Sequence, residues 1–354
     1  MRDESSEESP RAPGSYATEE KRMKRVFVVA AAIMLLGSSI AASAAITIDT
    51  VRVGDPGNQA DTSSHSGNPA GQGSVSYTYN IGKYEVTAGQ YTAFLNAVAK
   101  TDTYGLYNFS MWSSTWGCKI QQTGSAGSYS YTVASDWANR PVNCVSYWDS
   151  CRFANWLGNG QGTGSTETGA YTLNGYIGQD GRTIQRNAGA TWAVTSEDEW
   201  YKAAYYKGGN TNAGYWLYPT QNDAIPGRDM ADASGNNANY YTNGFLIGSP
   251  YYRTEVGEFQ NSDSPYGTFD QGGNVWEWNE AIVYQNSPYA YRGLRGGSFG
   301  GNDDDLQSTG RYDNYPKYEN VIVGFRVSQV PEPSSIIALL GGLTGLIGLR
   351  RRKA

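Results

Sequence analysis

Residues Gly272 to Glu280 read GGNVWEWNE, two tryptophans around one carboxylate, Glu277, behind two glycines and an asparagine. An acid flanked by indoles can serve two ends. It can be a catalytic acid whose proton affinity an apolar pocket raises. It can equally be a structural group whose burial a partner makes tolerable. Few other residues compete for chemistry. The chain has one histidine, His65, in a Gly/Ser/Asn stretch, so imidazole acid–base catalysis and multi-histidine zinc or iron sites are nearly excluded. The cysteines are Cys118, Cys144 and Cys151, an odd set with no C-x-x-C spacing. A Cys118–Cys144 bridge and buried free thiols both fit them. Asp303, Asp304 and Asp305 are adjacent acids, readable as a solvated loop or as a calcium or calcium-bridged glycan site.

Such residues must be positioned by the elements around them. Val75–Tyr79 and 81–86 read as strands. Thr87 caps a helix over 88–99 with Tyr91, Phe94, Leu95 and Val98 on one face. Residues 141–145 are extended, and Ser146 caps a helix to about Leu157. Residues 192–194 read as a strand, and Glu197, Asp198 and Glu199 open a helix where its dipole favours acids. Beyond Lys207 helical periodicity is almost gone. With 44 Gly, 28 Tyr and only 17% charged residues, the chain reads as a loop-rich extracellular body. Residues 45–329 keep 17 Lys and Arg against 26 Asp and Glu, which gives no electrostatic footprint for nucleic acid.

The two ends read as addresses. Met23 to Ala45 has a Lys24-Arg25 start, an apolar run over Val26–Leu36 and an Ala42-Ser43-Ala44 cleavage site, a secretory signal served by a signal peptidase. Residues 1–22 are a polar tail, either an artefact of the gene model or a long charged n-region. At the other end Pro331-Glu332-Pro333 precedes a 15-residue apolar run, Ser335–Leu349, and a basic cluster, Arg350–Lys353. That run is shorter than the ~20 residues of a free-standing spanning helix, and the basic cluster holds its end in the cytoplasm. The arrangement resembles the PEP-CTERM sorting signal of bacterial exported proteins, which implies an exosortase-like processing enzyme, a transient membrane helix and a final place in the envelope, surface or extracellular matrix.

Between the ends, YEVTAGQYTAFLNAV, RPVNCVSYWDSCRFANWL, TWAVTSEDEWYKAAYY, SPYGTFDQGGNVWEWNE, LRGGSF and GFRV occur in this order. Together they resemble the formylglycine-generating, sulfatase-modifying-factor family. The resemblance implies one α+β domain over 76–328, an irregular, loop-rich relative of the C-type lectin fold with few short helices and small antiparallel sheets. Residues 45–75 would be a lead-in, and 330–354 the sorting segment. It also implies structural calcium at Asp270, the carbonyls of Gly273 and Val275, and Glu277, with a second calcium at Asn239 and the Tyr240 carbonyl. Oxygen-rich ligands on a glycine-rich turn suit a hard cation. The family's copper cysteines fall on Gly301 and Leu306, which carry no ligand atom, so neither copper nor a catalytic residue is expected. Arg295 and Arg326 are expected in structural ion pairs, with Glu199 or Glu277 as partners. The reading is therefore an exported, non-catalytic surface or matrix protein that binds a polysaccharide or protein. The alternative is an oxidoreductase of the family with a non-standard metal site.

Overall fold

A computed structural model describes residues 45–63, 70–286 and 288–330. His65, the secretory signal and Pro331-Glu332-Pro333 lie outside the described residues.

Among the described residues, ten strands form two four-stranded sheets and a hairpin. The first sheet has the order β1 (Thr50–Val53), β2 (Tyr79–Gly82), β10 (Val327–Gln329), β5 (Trp192–Val194), all antiparallel. The second has the order β8 (Tyr312–Asn314), β7 (Tyr289–Arg295), β6 (Trp276–Asn286), β9 (Val323–Phe325). Here β6 and β9 run parallel, so this sheet is mixed where antiparallel sheets were expected. β3 (Gln121–Thr123) and β4 (Ser130–Thr132) pair by themselves. The two strands expected around residue 80 are one strand straddling both, because Val75 is held outside the ladder by Asn58 and Gly57. The lead-in supplies β1, an edge of the first sheet.

The helices are α1 (Ala88–Val98), α2 (Ser110–Ser113), α3 (Ser135–Ala138), α4 (Tyr147–Gly158) and α5 (Glu197–Tyr205). The long ones start on reciprocal caps: Thr87 with Gln90, Ser146 with Asp149, Ser196 with Glu199. Each cap satisfies two otherwise orphaned N–H groups. α1 is amphipathic, and its Tyr91 and Phe94 meet Phe153 and Trp156 of α4 and Phe325 of β9 at ring separations of 5.4 to 6.5 Å. α4 is buried on nearly every face, so its polar side chains need internal partners. Arg152 finds one in Glu167, Nε to Oε1 at 2.7 Å.

Alternation along a strand settles where the two tryptophans go. Trp276 and Trp278 point into the main core, and the Trp278 indole donates to the Val145 carbonyl at 3.0 Å. Glu277 points the other way, toward α5 and the first sheet. That side is also covered, so the carboxylate is fully buried.

Candidate functional site

Glu277 meets three donors. Arg326 donates from Nε to Oε2 at 2.6 Å and from Nη2 to Oε1 at 2.7 Å, and the Trp200 indole donates to Oε2 at 2.7 Å. Arg326 also donates to the carbonyls of Gly82 on β2, at 3.0 Å, and of Phe269, at 2.9 Å. Burial alone would lower the Arg326 pKa, but Glu277, Glu85 and Asp270 raise it. Of the two readings of Glu277, this is the structural one: a buried carboxylate held by a bidentate guanidinium.

The same geometry tests the calcium positions. Asp270, Gly273, Val275 and Glu277 do share one turn. A cation on the Glu277 oxygens, however, would face a guanidinium already bound to both, so Glu277 does not fit a calcium ligand. Among the described residues no group of three or more His, Cys, Asp or Glu side chains is arranged to hold a metal ion. Asp270 instead accepts from the Gly257 N–H at 2.6 Å, and burial pushes its pKa up to about 6. Gly273 has a reason of its own. With φ +94° and a notional Cβ 2.3 Å from the Asn239 carbonyl oxygen, only glycine lets the turn lie against Asn239. At the second expected position, Asn239 Oδ1 is buried without a donor, a feature that does fit a cation or a water. Tyr240 packs with Tyr218 and Leu306, and its hydroxyl donates to the Pro226 carbonyl at 2.7 Å.

The expected arginine pairs exist with one change of partner. Arg295 reaches Glu197, not Glu199, at 2.6 Å, and Arg311 joins it on the other oxygen at 2.5 Å. Glu199 belongs to Arg186, at 2.8 Å, which also holds Glu280 at 2.8 Å. Arg186 sits in a Gly/Asn-rich loop with no periodic pattern, so sequence reading gave it no role. Of the acids at the start of α5, Glu199 was legible as an ion-pair candidate, and Glu197 and Asp198 only as dipole partners.

At the positions of the family's copper cysteines, Leu306 is fully buried against Tyr218 and Tyr240, and the Gly301 carbonyl accepts from the Tyr241 N–H at 2.7 Å. The three cysteines are free and buried, and burial raises the proton affinity of each thiol. Asp303 to Asp305 form a 3-10 turn capped by no side chain, and burial raises the Asp305 pKa. Next to Gly301 lies an aromatic surface that sequence reading missed, because its members are scattered from 116 to 252. Trp116 meets Tyr252 at 6.1 Å, Tyr252 meets Phe245 at 5.0 Å, and Phe245 meets Tyr241 at 5.2 Å.

Comparison with known proteins agrees with this architecture. Residues 38–330 match the sulfatase-modifying factor enzyme 1-like domain, and residues 329–353 match the PEP-CTERM protein-sorting motif. A sorting motif of this class points to export to the cell envelope or surface and to processing by an exosortase-like enzyme. No curated protein matches the chain. Among solved structures it is similar to the crystal structure of CarF, at 22% identity and a TM-score of 0.52, over 80% of this chain and 99% of that one. PvdO from Pseudomonas aeruginosa is similar at 19% identity and a TM-score of 0.44, over 81% and 93%. The CarF likeness bears on the fold alone. Among the described residues no helix is long and apolar enough to cross a membrane, and the apolar run over 335–349 lies outside them. Matched over most of its length, the chain belongs to the sulfatase-modifying factor enzyme 1-like domain family.

Proposed function

We propose that this protein is a non-catalytic component of the cell surface or extracellular matrix that binds a polysaccharide through its loop surface, a surface protein being the second candidate ligand. The observation that carries the reading is the aromatic run Trp116–Tyr252–Phe245–Tyr241. Its exposed members, Trp116, Tyr241 and Phe245, are 42%, 41% and 38% accessible, and Phe299 lies beneath Phe245 and Tyr252 at 6.1 Å from each. Rings held edge to face over a buried ring form a fixed apolar platform, onto which the C–H face of a pyranose packs at little entropic cost. The fully buried Arg253 fixes the loop below by donating to the carbonyls of Trp116, at 2.6 Å, and Gly117, at 3.2 Å.

The platform lies beside Gly301, where the catalytic members of the family would keep a thiolate. With Gly301 and Leu306 in those places a soft metal has no ligand, which favours binding over oxidation. A calcium brace through Glu277 is not part of the proposal; the Asn239 side is where calcium binding would be sought.

The test is a carbohydrate-array screen of the full chain, followed by Trp116→Ala and Phe245→Ala. Each change should weaken retention on the selected glycan about tenfold, roughly 1.4 kcal/mol, with the melting temperature little changed. Undiminished retention by both variants would sink the proposal.

A further inference from the structure

Among the described residues, Arg292 is a buried guanidinium with no carboxylate at ion-pair distance. It donates to three backbone carbonyls, Glu280 at 2.7 Å, Gly181 at 3.0 Å and Ile184 at 2.9 Å, and lies 4.6 Å from the centre of the Tyr147 ring. Its Nε has no hydrogen-bond partner. The other large buried arginines Arg152, Arg295 and Arg326 each meet a carboxylate. Arg253, like Arg292, meets no carboxylate and lies against a ring, that of Phe299, and what sets Arg292 apart is the cavity beside it. Carbonyls and a ring face satisfy the geometry of a guanidinium without cancelling its charge, and a buried charge is ordinarily neutralised.

Arg292 also borders a cavity of about 380 Å³, together with Tyr147, Gln185, Arg186, Glu280 and Ile282. That volume suits one small ring-shaped ligand. Glu280 is the group that would repel an anion there. It is held by Arg186 and by the Tyr171 hydroxyl at 2.5 Å, and burial raises its proton affinity, so it resists an incoming carboxylate less than a free acid would. Along the hairpin, the pair after Ile282–Arg292 is Tyr284–Tyr291, whose rings lie 5.4 Å apart, with Tyr284 half exposed. A charged pocket of this size suits a sugar unit that bears a carboxylate, and the exposed Tyr284, edge to face with Tyr291, lies further along the same hairpin.

We propose that this cavity receives the carboxylate-bearing sugar unit of an acidic polysaccharide, with Arg292 facing the carboxylate and the Gln185 amide facing ring hydroxyls. The proposal rests on the polysaccharide reading above and names its chemical class.

The experiment is calorimetric titration of the full chain with glucuronate, with glucose as the neutral control and acetate as the bare anion. Glucuronate should bind at least tenfold more tightly than either control. Arg292→Gln should abolish that preference. Because Arg292→Gln can also unfold the chain, Ile282→Trp, at a partly exposed position, fills the cavity in a second variant and should weaken glucuronate about tenfold with the melting temperature retained. Equal binding of acetate and glucuronate, or indifference to Ile282→Trp, would mean an adventitious ion only and would overturn the proposal. If glucuronate fails while a neutral glycan is still retained through Trp116 and Phe245, the pocket assignment alone falls. If no carbohydrate binds at all, both readings fall.

Discussion

Arg326 stands at the point where the chain leaves one sheet for the other, between β9 and β10, and there it grips Glu277 of β6 with two hydrogen bonds of 2.6 and 2.7 Å. Since the same guanidinium donates to the Gly82 carbonyl on β2, one side chain ties the two sheets together.

Glu277→Gln should therefore destabilise the fold by about 3–5 kcal/mol, the cost of leaving a buried charge without its partner. Urea denaturation should show the same loss in calcium and in chelator, because the partner is an arginine. A loss confined to calcium-containing buffer would return Glu277 to the role of metal ligand.

Stability should rise as the pH falls from about 8 toward 5. Burial and the neighbouring Asp149 push the Glu319 pKa up to about 8, and burial pushes Asp149 and Asp270 up to about 6. These groups bind protons more tightly folded than unfolded, so their contribution is full below the unfolded carboxylate pKa and is lost as pH rises through the folded values. Glu199, whose pKa is lowered by Arg186 against its burial, acts oppositely and only in stronger acid. Glu319→Gln should flatten a plot of melting temperature against pH between 5 and 8. An unchanged slope would place the proton elsewhere.

Formylglycine formation should be undetectable. The full chain, supplied with Cu(I), oxygen and a peptide bearing a sulfatase-type cysteine motif, should leave the peptide mass unchanged. Gly301→Cys with Leu306→Cys supplies two thiols to the same turn. A Cβ at Gly301 would press on the end of the Asp305 side chain, which can swing away, whereas Leu306 leaves a cavity costing about 2 kcal/mol or more. Copper-dependent conversion by the unmodified chain would show the protein to be an enzyme.

Replacing Pro331-Glu332-Pro333 by three alanines should leave an unprocessed precursor in the membrane fraction, because removing both prolines lifts their bar to helix. Mature protein of normal size outside the cell would make the segment an ordinary anchor.

Local signals carried much of this molecule. Thr87 and Ser146 marked their helices because a cap is written within four residues, and the acids at 197–199 marked the third by their place in its first turn. The alternation that sets Glu277 apart from Trp276 and Trp278 became readable only once 276–286 formed a strand. Composition and the two ends bounded the class of protein in the same local way. Partners were another matter. That Glu277 meets Arg326, 49 residues away, and that Glu197 rather than Glu199 meets Arg295, 98 residues away, depends on how two sheets and α5 stack. The aromatic platform is likewise assembled from loops far apart in the chain, and the Arg292 cavity from one hairpin, α4 and the 185–186 loop, where no period links one member to the next. Sequence fixes a residue's neighbours along the backbone, whereas a buried charge chooses its counter-ion only when the core has closed around both.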